Sequence, residues 1–570
     1  MPVKKWINIA EVAPISPQCA ENLARYDPIL RQLLFNRGIT TAEEAEQYLS
    51  PSEASLHDPF LMKNMESAVR RILQAVENGE TIAIYGDYDV DGVTASALLV
   101  QVLRRMGAAV EHYIPDRQTE GYGLNNEALD KLKAAGYTLV VSVDCGIRSV
   151  VEAEYASQIG LDLIITDHHE PGAEIPAAYT VLCPKQAGDE YPFKELAGVG
   201  IAFKVAQGLL ARRPVNGVRA VDWLDLAAVG TVADVVPLKG ENRTIVRLGL
   251  SLLSRRLRQG LRSLMGAAGI EESQPVNTYH IGFVIGPRLN ASGRMDTAEN
   301  AYQMLMSEEV QEAGRLAQLL DDQNKERQEI TRQIQAQAET FVSGEDPLVF
   351  AVSPDFKLGV VGLAASRLVE TFYRPAVVGI IEGETTRASC RSIPEFHINS
   401  ALDEVAHLLE RHGGHAMAAG FTVKTENLPS LEKELKRIAA ERLAGQELAP
   451  TLRADLELPL VEVRPAILDL QAQIEPTGAG NSSVRFISRN LKVTRTRRIG
   501  KDQSHLRLTV TDGRITHDAI AFGQGDWADQ MPERIDILFR FELNVFNGRT
   551  SLQLNVQDIR PSTANQQSDI

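Results

Sequence analysis

The chain of 570 residues is 44% hydrophobic and 24% charged, a composition typical of globular proteins and unlike that of disordered or fibrous chains. It is too long for a single hydrophobic core and predicts roughly three or four domains. Its four cysteines form no Cys-x-x-Cys pair, which argues against a zinc site or a disulfide framework. No apolar run approaches a signal peptide or a membrane span, so we expect a cytoplasmic protein that makes no contact with membranes.

The net charge of −16 argues against a polyanionic partner, but the charge is unevenly distributed. Between Arg485 and Arg507, eight basic residues stand against the single acid Asp502. The eight are Arg485, Arg489, Lys492, Arg495, Arg497, Arg498, Lys501 and Arg507. Such a stretch can follow a phosphate backbone, and it can equally be the solvated face of a strand.

The first part of the chain predicts a helical segment followed by a parallel sheet. Residues 1–75 have a mostly helical pattern, with Asn36-Arg37-Gly38 as a helix stop. Over residues 76–307, β-type runs alternate with helical segments such as Ala95–Met106, which is typical of a doubly wound sheet. The predicted strands are Thr81–Tyr85, Ala109–Ile114, Thr138–Val143, Asp162–Thr166 and Tyr179–Cys183.

The second part predicts a long helix and two further domains. Residues 308–341 lack proline and repeat apolar residues at helical spacing, which predicts one connecting helix of about 50 Å. Residues 342–447 predict a second α/β unit, with strands Leu348–Val352, Ala376–Ile381 and Ser389–Ile393 around the helix Val361–Glu370. Residues 448–560 predict a small β-barrel, with strands Leu491–Thr496, Leu506–Thr511, Ala519–Phe522 and Ile535–Asn544. Residues 561–570 are polar, and we expect a disordered tail.

Hard metal ligands follow several of the predicted strands. Asp87, Asp89 and Asp91 come after the first strand, and their alternate spacing lets them point to one side of an extended segment. Asp144 and the run Asp167-His168-His169 follow two later strands, and Asp234 lies further along the chain. Because the carboxyl ends of parallel strands meet at one edge of a sheet, we expect these side chains to converge. A single Asp or His at a strand end is more often a helix cap or a core residue, so the repetition of the placement carries the prediction.

The chemistry of this ligand set predicts metal-dependent hydrolysis. It contains carboxylates and imidazoles but no thiolate, which suits Mg²⁺ or Mn²⁺, and the histidines favour Mn²⁺. So many converging carboxylates repel one another unless cations are bound, which predicts two divalent ions rather than one. A two-metal site is suited to the hydrolysis of a phosphoester or a phosphoanhydride.

The motifs Gly86–Gly92, Val143–Gly146 and Asp167–His169 resemble those of the DHH phosphoesterase superfamily. Further segments resemble its RecJ branch of single-strand-specific 5′→3′ exonucleases; they are Ile114–Arg117, Glu120–Leu124, Leu196–Lys204, Pro287–Arg294 and Gly413–Phe421. The resemblance implies an α/β fold with two lobes, a DHH parallel-sheet domain (76–307) and a DHH-associated domain (342–447). The long helix 308–341 would join the lobes, and 448–560 would be a C-terminal OB-fold β-barrel that binds nucleic acid.

The resemblance also implies roles for individual residues. Asp89, Asp91, Asp144, His168 and Asp234 would be catalytic metal ligands, with Asp144 shared by both ions. Asp87 is a further candidate ligand, Asp167 would orient the ligands, and the catalytic His169 would bind metal or contact the scissile phosphate. Substrate phosphates would be bound by Arg117, Arg288, Asn290, Arg294, Ser389, Arg391 and His415. The expected DNA contacts of the barrel are Arg485, Lys492, Arg495, Arg497, Arg498, Lys501 and Arg507. Tyr85 departs from the superfamily, because several members have a metal-binding histidine there, and this puts the preference of the first metal site in question.

These observations predict an exonuclease that degrades single-stranded DNA from its 5′ end to mononucleotides, acting in DNA repair and recombination. One alternative is a DHH phosphodiesterase for short oligonucleotides or cyclic dinucleotides; another is an inactive scaffold related to a replication factor. The barrel and the long helix favour a polymer, and the complete ligand set argues against a scaffold. The sequence contains no Gly-x-x-x-x-Gly-Lys-Ser/Thr motif, so we expect a helicase partner for duplex ends. We also expect a monomer and, as a second partner, a single-stranded-DNA-binding protein.

Overall fold

The computed structural model describes residues 4–562 except 118, 119, 122, 345, 547 and 548. The chain forms two compact units. The first contains Asp58–Asp234 and Gly249–Pro450, and the second contains Lys4–His57, Val235–Leu248 and the chain from Thr451 onward. No helix in these described residues is both long enough and apolar enough to cross a membrane.

Two predicted domain boundaries differ from this division. The boundary at residue 75 falls inside the helix Met65–Asn78, and residues 4–57 fold with the barrel. Residues 235–248, predicted within the first α/β domain, also fold with the barrel. Residues 4–57 belong to the barrel unit because their apolar side chains share its core, and residues 235–248 belong to it because Arg243 donates hydrogen bonds to carbonyl oxygens of Tyr48 and Ile474. No local pattern reveals either contact. Of the predicted tail 561–570, residues 563–570 lie outside the described residues. Pro561 is the last residue of a strand.

The first α/β lobe contains the predicted five-stranded parallel sheet. Its strands, in spatial order, are Ala109–Tyr113, Thr81–Gly86, Leu139–Val143, Asp162–Thr166 and Thr180–Leu182. Helices before, between and after them are Met65–Asn78, Val90–Arg105, Asn126–Ala134, Val150–Gln158 and Gly198–Arg212. The central strands are buried on both faces, which explains their continuous apolar runs. Gly86 is paired with Val143 and Val143 with Thr166, so three strands end level at one edge.

A series of helices leads from this sheet to the second lobe. They are Leu224–Ala233, Gly240–Arg255, Gln259–Ala267, the π-helix His280–Ile285, Gly286–Met295 and Glu299–Met306. The connecting helix follows as Val310–Glu339, within two residues of the prediction at both ends. Its 30 residues span about 45 Å.

The second α/β lobe has a mixed five-stranded sheet. Its strands, in spatial order, are Leu409–Gly414, Ala418–Lys424, Thr385–Arg391, Ala376–Glu382 and Val349–Ser353. The last two are parallel and the other pairs are antiparallel. The helices are Leu358–Phe372, Ile398–Glu404 and Leu428–Leu443. The glycine-rich hairpin 409–424 was not predicted as strands because glycine carries little strand signal.

The second unit contains the predicted barrel. Its strands are Leu456–Glu457, Phe486–Ile499, His505–Thr511, Thr516–Ala521, Arg534–Phe546 and Arg549–Pro561, and the pairing of Phe486–Ile499 with Arg534–Phe546 closes it. Two short strands, Lys5–Asn8 and Thr451–Ala454, pair with each other. The helices are Ile9–Val12, Pro17–Asn22, Pro28–Phe35, Ala42–Leu49 and Ala466–Ile474. Leu33 and Leu34 of the N-terminal helices share one apolar core with Phe486 and Phe539 of the barrel.

Candidate active site

The turn after the strand Thr81–Gly86 carries the first group of acids. Asp89 is the N-cap of the helix Val90–Arg105, and its Oδ1 accepts hydrogen bonds from the amides of Asp91 at 2.9 Å and Gly92 at 3.1 Å. A Cβ on Gly92 would lie 2.5 Å from the carbonyl oxygen of Asp87, so only glycine allows this close turn. The chain therefore passes from strand to helix within a few residues and keeps Asp87, Asp89 and Asp91 at the sheet edge.

Asp144 lies directly after the neighbouring strand Leu139–Val143. Its φ of 64° is in the left-handed region, which is uncommon for a residue other than glycine and is often found at functional sites. Its side chain is buried, and a Cβ on Gly198 would lie 2.6 Å from its Oδ1. The start of the helix Gly198–Arg212 thus packs directly against this carboxylate.

The same helix start binds Asp91. The oxygens of Asp91 accept hydrogen bonds from the amides of Gly198 at 2.6 Å and Val199 at 2.8 Å, and the side chain is fully buried. The positive end of the helix dipole stabilises the carboxylate there. This explains the role of the Leu196–Lys204 segment. The sequence did not reveal its backbone contact with Asp91, because backbone amides leave no side-chain signal.

His168 lies at the centre of three carboxylates. Its Nε2 is 3.1 Å from Oδ1 of Asp144, 3.6 Å from Oδ2 of Asp234 and 3.9 Å from Oδ2 of Asp91. Asp234 reaches this position as the C-cap of the helix Leu224–Ala233. Burial, aided by the neighbouring His169, lowers the pKa of His168 to about 3, so the ring is neutral and can offer a lone pair to a cation.

Asp167 is occupied by hydrogen bonds from the protein. Its Oδ1 accepts from the amides of His168 and His169 and from Nδ1 of His169, and its Oδ2 accepts from the amide of Ile147. Burial alone would raise the pKa of Asp167, but the bonds from His169 and Ile147 outweigh it and lower the pKa. Burial alone would lower the pKa of His169, but the bond to Asp167 raises it. Asp167 is thus placed to orient His169, whose side chain is 42% exposed.

The remaining carboxylates are unfavourably placed unless cations are bound. Burial and the charge of Asp89 raise the pKa of Asp91 to about 7. Burial and the charges of Asp91 and Asp89 raise the pKa of Asp234 to about 9, and the pKa of Asp144 is raised well above its usual value by burial and Asp91. Oδ1 of Asp144, Nε2 of His168 and Oδ2 of Asp234 are shielded from solvent and have no hydrogen-bond partner.

These atoms fit a pair of divalent cations. Three groups have ligand atoms within 4.8 Å of one another: Asp87, Asp89 and Asp144; Asp91, His168 and Asp234; and Asp144, His168 and His169. Asp144 belongs to two of them, as expected of a ligand that two ions share. Tyr85 belongs to none of these groups: it is buried, donates a hydrogen bond from its hydroxyl to the carbonyl oxygen of Gly123 at 2.9 Å, and stacks on Tyr113.

A cavity of about 690 Å³ opens beside the acids. Asp87, Asp89, His168 and His169 line it, and so does His415 from the hairpin of the second lobe. The structure therefore brings the predicted His415 to the same cavity as the metal-ligating candidates. Lys185 and Arg148 also line the cavity, and sequence reasoning did not select them.

The predicted phosphate-binding residues differ in whether an acidic side chain already pairs with them. Ser389 and Arg391 share one face of the strand Thr385–Arg391, where a Cβ on Gly362 would lie 3.4 Å from Ser389 Oγ and 3.0 Å from Arg391 Nη2. The guanidinium of Arg117 lies over the ring of Tyr88 at 5.0 Å.

The helix Gly286–Met295 carries Arg288, Asn290 and Arg294. Nη1 of Arg294 donates to the carbonyl oxygen of Gly359 at 3.2 Å. Arg288, in contrast, forms a two-pronged ion pair with the buried Asp321 at 2.9 and 2.8 Å, so its charge is already neutralised. The expected phosphate contact of Arg288 stays a prediction, and the sequence did not reveal its pairing with Asp321.

Several basic residues of the barrel stretch lie beside acids, so the stretch is less available for phosphate contacts than its sequence predicts. Lys492 pairs with Glu533 at 3.5 Å, Arg498 with Asp529 and Arg507 with Asp518 at 3.0 Å. Arg489 likewise pairs with Glu457 and Asp536. Arg485 has a shielded Nε, and burial lowers its pKa. Among the described residues, Arg495, Arg497 and Lys501 have no acidic partner. The seven expected barrel contacts stay a prediction, and the fold adds that Arg495, Arg497 and Lys501 are the ones without an acid beside them and with exposed side chains.

The fold and the site define a class of protein, the metal-dependent DHH phosphoesterases. The DHH family, N-terminal domain matches residues 81–231, the DHHA1 domain matches 345–441 and the RecJ OB domain matches 454–558. The chain is 40% identical to the single-stranded-DNA-specific exonuclease RecJ of Bacillus subtilis over 93% of this chain and 68% of that protein. It is 31% identical to the enzyme of the same name from Escherichia coli over 95% and 98% of the two chains.

Comparison with solved structures agrees with this assignment. The structure of RecJ from Thermus thermophilus in complex with Mn²⁺ superposes with a TM-score of 0.84 at 28% identity, covering 98% of this chain and 80% of that one. A second structure of that protein contains Mg²⁺ and gives a TM-score of 0.79 at 26% identity. The chain belongs to the RecJ family of DHH phosphoesterases and is a hydrolase.

Proposed function

We propose that this chain is a single-stranded-DNA-specific exonuclease that hydrolyses phosphodiester bonds from the 5′ end and releases 5′-mononucleotides. The observation that carries the proposal is the convergence of Asp91, Asp144, His168 and Asp234 beside a cavity that the second lobe also lines, with ligand atoms of Asp144, His168 and Asp234 that have no hydrogen-bond partner. Membership of the RecJ family supplies the substrate class.

Each site residue has a role in this proposal. Asp89, Asp91, Asp144, His168 and Asp234 hold two divalent cations, Mn²⁺ in preference to Mg²⁺, with Asp87 as a further ligand. The cations, when bound, neutralise these carboxylates and supply the Lewis acidity that phosphoester hydrolysis needs. Asp167 fixes the orientation of His169, which keeps a proton to a higher pH than a free histidine and contacts the scissile phosphate.

The proposed 5′ polarity rests on phosphate-binding side chains from both lobes. Arg117, Ser389 and Arg391 bind the terminal 5′-phosphate, and His415 and Asn290 contact the strand nearby. Two guanidinium groups and a hydroxyl are chemically suited to a phosphate dianion. None of these three side chains pairs with an acid in the described part of the chain, which supports a binding site for an anion.

The barrel supports a polymeric substrate. A RecJ OB domain with the exposed, unpaired Arg495, Arg497 and Lys501 suits a strand that extends beyond the cavity. A phosphodiesterase for short oligonucleotides or cyclic dinucleotides remains the second candidate, because a cavity of about 690 Å³ also admits such a ligand.

We further propose a cytoplasmic monomer that acts in DNA repair and recombination. A helicase would open duplex ends for it, since the sequence has no nucleotide-binding Gly-x-x-x-x-Gly-Lys-Ser/Thr loop. A single-stranded-DNA-binding protein is the second expected partner.

Oligonucleotides labelled at either end test the proposal. Incubation with Mn²⁺ or Mg²⁺ should release labelled mononucleotide at once from a 5′-labelled single strand, and only late from a 3′-labelled one. A blunt duplex should resist, and a cyclic dinucleotide should be cut slowly. Release from the 3′ end first would contradict the polarity. Faster cleavage of a cyclic dinucleotide than of a long strand would favour the second candidate.

A further inference from the structure

Arg327, in the middle of the connecting helix, is a cation without an acidic partner. Its Nε is shielded from solvent and makes no hydrogen bond, and within the described chain no carboxylate pairs with its guanidinium. Buried cations are normally paired, because an unpaired one loses hydration energy without compensation.

The acids near Arg327 on the same helix are all engaged elsewhere. Asp321 binds Arg288 and Lys325, and Asp322 binds Lys325. Glu326 lies 3.9 Å from Lys357, and Glu329 pairs with Arg332. The helix thus supplies enough acids to neutralise Arg327, yet none of them does so.

Other polar groups on the same helix are also unsatisfied. Asn324 is 2% exposed and its Oδ1 has no hydrogen-bond partner, and the shielded Oε1 of Gln323 has none either. Residues 323 and 324 each lie about one helical turn before residue 327, so the three lie on the same side of the helix. The protein therefore leaves three polar groups on one side of this helix without partners.

Arg327 lies close to the predicted phosphate-binding residues. Its neighbour Glu326 reaches Lys357, the N-cap of the helix Leu358–Phe372, and Arg294 donates to Gly359 in the first turn of that helix. Arg391 lies against Gly362 of the same helix. Arg294 and Arg391 therefore lie against one helix, whose first turn contains no acidic residue, and Glu326, the residue before Arg327, reaches the N-cap of that helix.

The electrostatics support this placement. Burial lowers the pKa of Arg294 to about 10, and the like charges of Arg117, Arg327 and Arg391 contribute to the shift. Burial also lowers the pKa of Arg327, with help from Arg367 and Arg288. Like charges that converge on Arg294 from three other arginines are unfavourable until an anion joins them.

We propose that Arg327 of the connecting helix is a further phosphate-binding residue, which together with Arg294 binds a phosphate of the single-stranded substrate. The inference rests on the proposed function. A guanidinium can donate two parallel hydrogen bonds to a phosphate, and Arg327 and Arg294 approach from different helices. The connecting helix would thereby contact the substrate directly, in addition to joining the two lobes.

The test compares Arg327→Ala with Arg332→Ala, which removes an exposed arginine from the same helix that is paired with Glu329. Binding of a 5′-phosphorylated single strand is measured by fluorescence anisotropy in EDTA over a range of salt concentrations, and kcat and KM are measured with Mn²⁺. Arg327→Ala should weaken binding by about tenfold and lower the log–log salt slope by about 0.7, because one phosphate contact is lost. KM should rise while kcat changes little, and Arg332→Ala should behave like the wild type.

Two further measurements separate substrate binding from a structural role. Arg327→Lys should restore most of the salt slope, since it keeps the charge. The thermal midpoint of DNA-free Arg327→Ala should equal or exceed that of the wild type, because an unpaired like charge is removed. An unchanged salt slope, or a loss that Arg332→Ala matches, would overturn the inference. A wild-type protein that fails to degrade single strands would instead overturn the proposed function.

Discussion

The candidate active site and the basic barrel stretch between Arg485 and Arg507 both concentrate like charges in the sequence, but the two differ in burial and in their partners. In the first lobe, Asp91, Asp144 and Asp234 lie together with raised pKa values, and one oxygen each of Asp144 and Asp234 has no hydrogen-bond partner in the described chain. In the barrel, Lys492, Arg498 and Arg507 each lie at the surface beside an acid from another part of the chain.

The difference shows what identifies a binding site for a charged ligand. A charge cluster in the sequence becomes a site when burial makes the charges unfavourable without a ligand of opposite sign. Where the charges stay exposed, nearby acids and water neutralise them at little cost, and each ion pair contributes little. The comparison predicts large effects from changes at the sheet edge and smaller effects from changes on the barrel.

The largest effect is expected for Asp144→Ala. The change removes the carboxylate that two ligand groups share, so turnover should fall by about 10³-fold or more, equivalent to about 4 kcal/mol of transition-state stabilisation. Circular dichroism should show an unchanged fold. The exposed Glu154 of the same lobe provides the control, and Glu154→Ala should be fully active. A near-normal rate for Asp144→Ala at saturating Mn²⁺ would contradict the two-metal arrangement.

The next effect concerns the close approach of Gly198 to Asp144. A Cβ at Gly198 would lie 2.6 Å from Cβ and Oδ1 of Asp144, so Gly198→Ala should displace the ligands and reduce kcat by about 10²-fold. Gly266→Ala is the control, because a Cβ there meets no atom within 4 Å and should stabilise the helix by up to about 1 kcal/mol. Equal activity of the two variants would show that the site tolerates a shift of this helix.

Metal binding should change the stability of the first unit. At a concentration about 100 times its dissociation constant, Mn²⁺ should stabilise the wild type by about 3 kcal/mol, because it binds the folded site and relieves carboxylate repulsion. Calorimetry with and without EDTA measures this on the transition of the first unit. Metal-free Asp144→Ala should be at least as stable as the metal-free wild type, and Mn²⁺ should stabilise it less. Equal stabilisation of both proteins would place the ions elsewhere.

The smallest effect is expected on the barrel. Replacing Arg495, Arg497 and Lys501 together with alanine should lower the salt slope for binding a long single strand by about 2, since each lost phosphate contact removes about 0.7. The matched triple replacement of Lys492, Arg498 and Arg507 should lower it by less, because these residues already have acidic partners. Equal slopes for the two triple variants would mean that the pairing does not matter and that the whole stretch acts as one surface.

The sequence by itself determined the parallel sheet, the connecting helix and the position of the acids. Apolar runs and helical periodicity are local properties, and the carboxyl ends of parallel strands lie at one edge whatever the rest of the chain does. The placement of Asp87, Asp144 and Asp167 could therefore be predicted before the structure. His168, Asp234 and the second α/β unit were also predicted from residues and patterns, and the family resemblance assigned roles to the individual site residues.

Only the tertiary structure decided which charges have partners. The amides of Gly198 and Val199 bind Asp91, and Asp321 neutralises Arg288. Acids from other parts of the chain pair with half of the basic barrel stretch. Arg327 carries no motif and looks in sequence like any other arginine of a charged helix. Electrostatic energy depends on distance in space and on burial, and a linear sequence specifies neither for residues that are far apart along the chain.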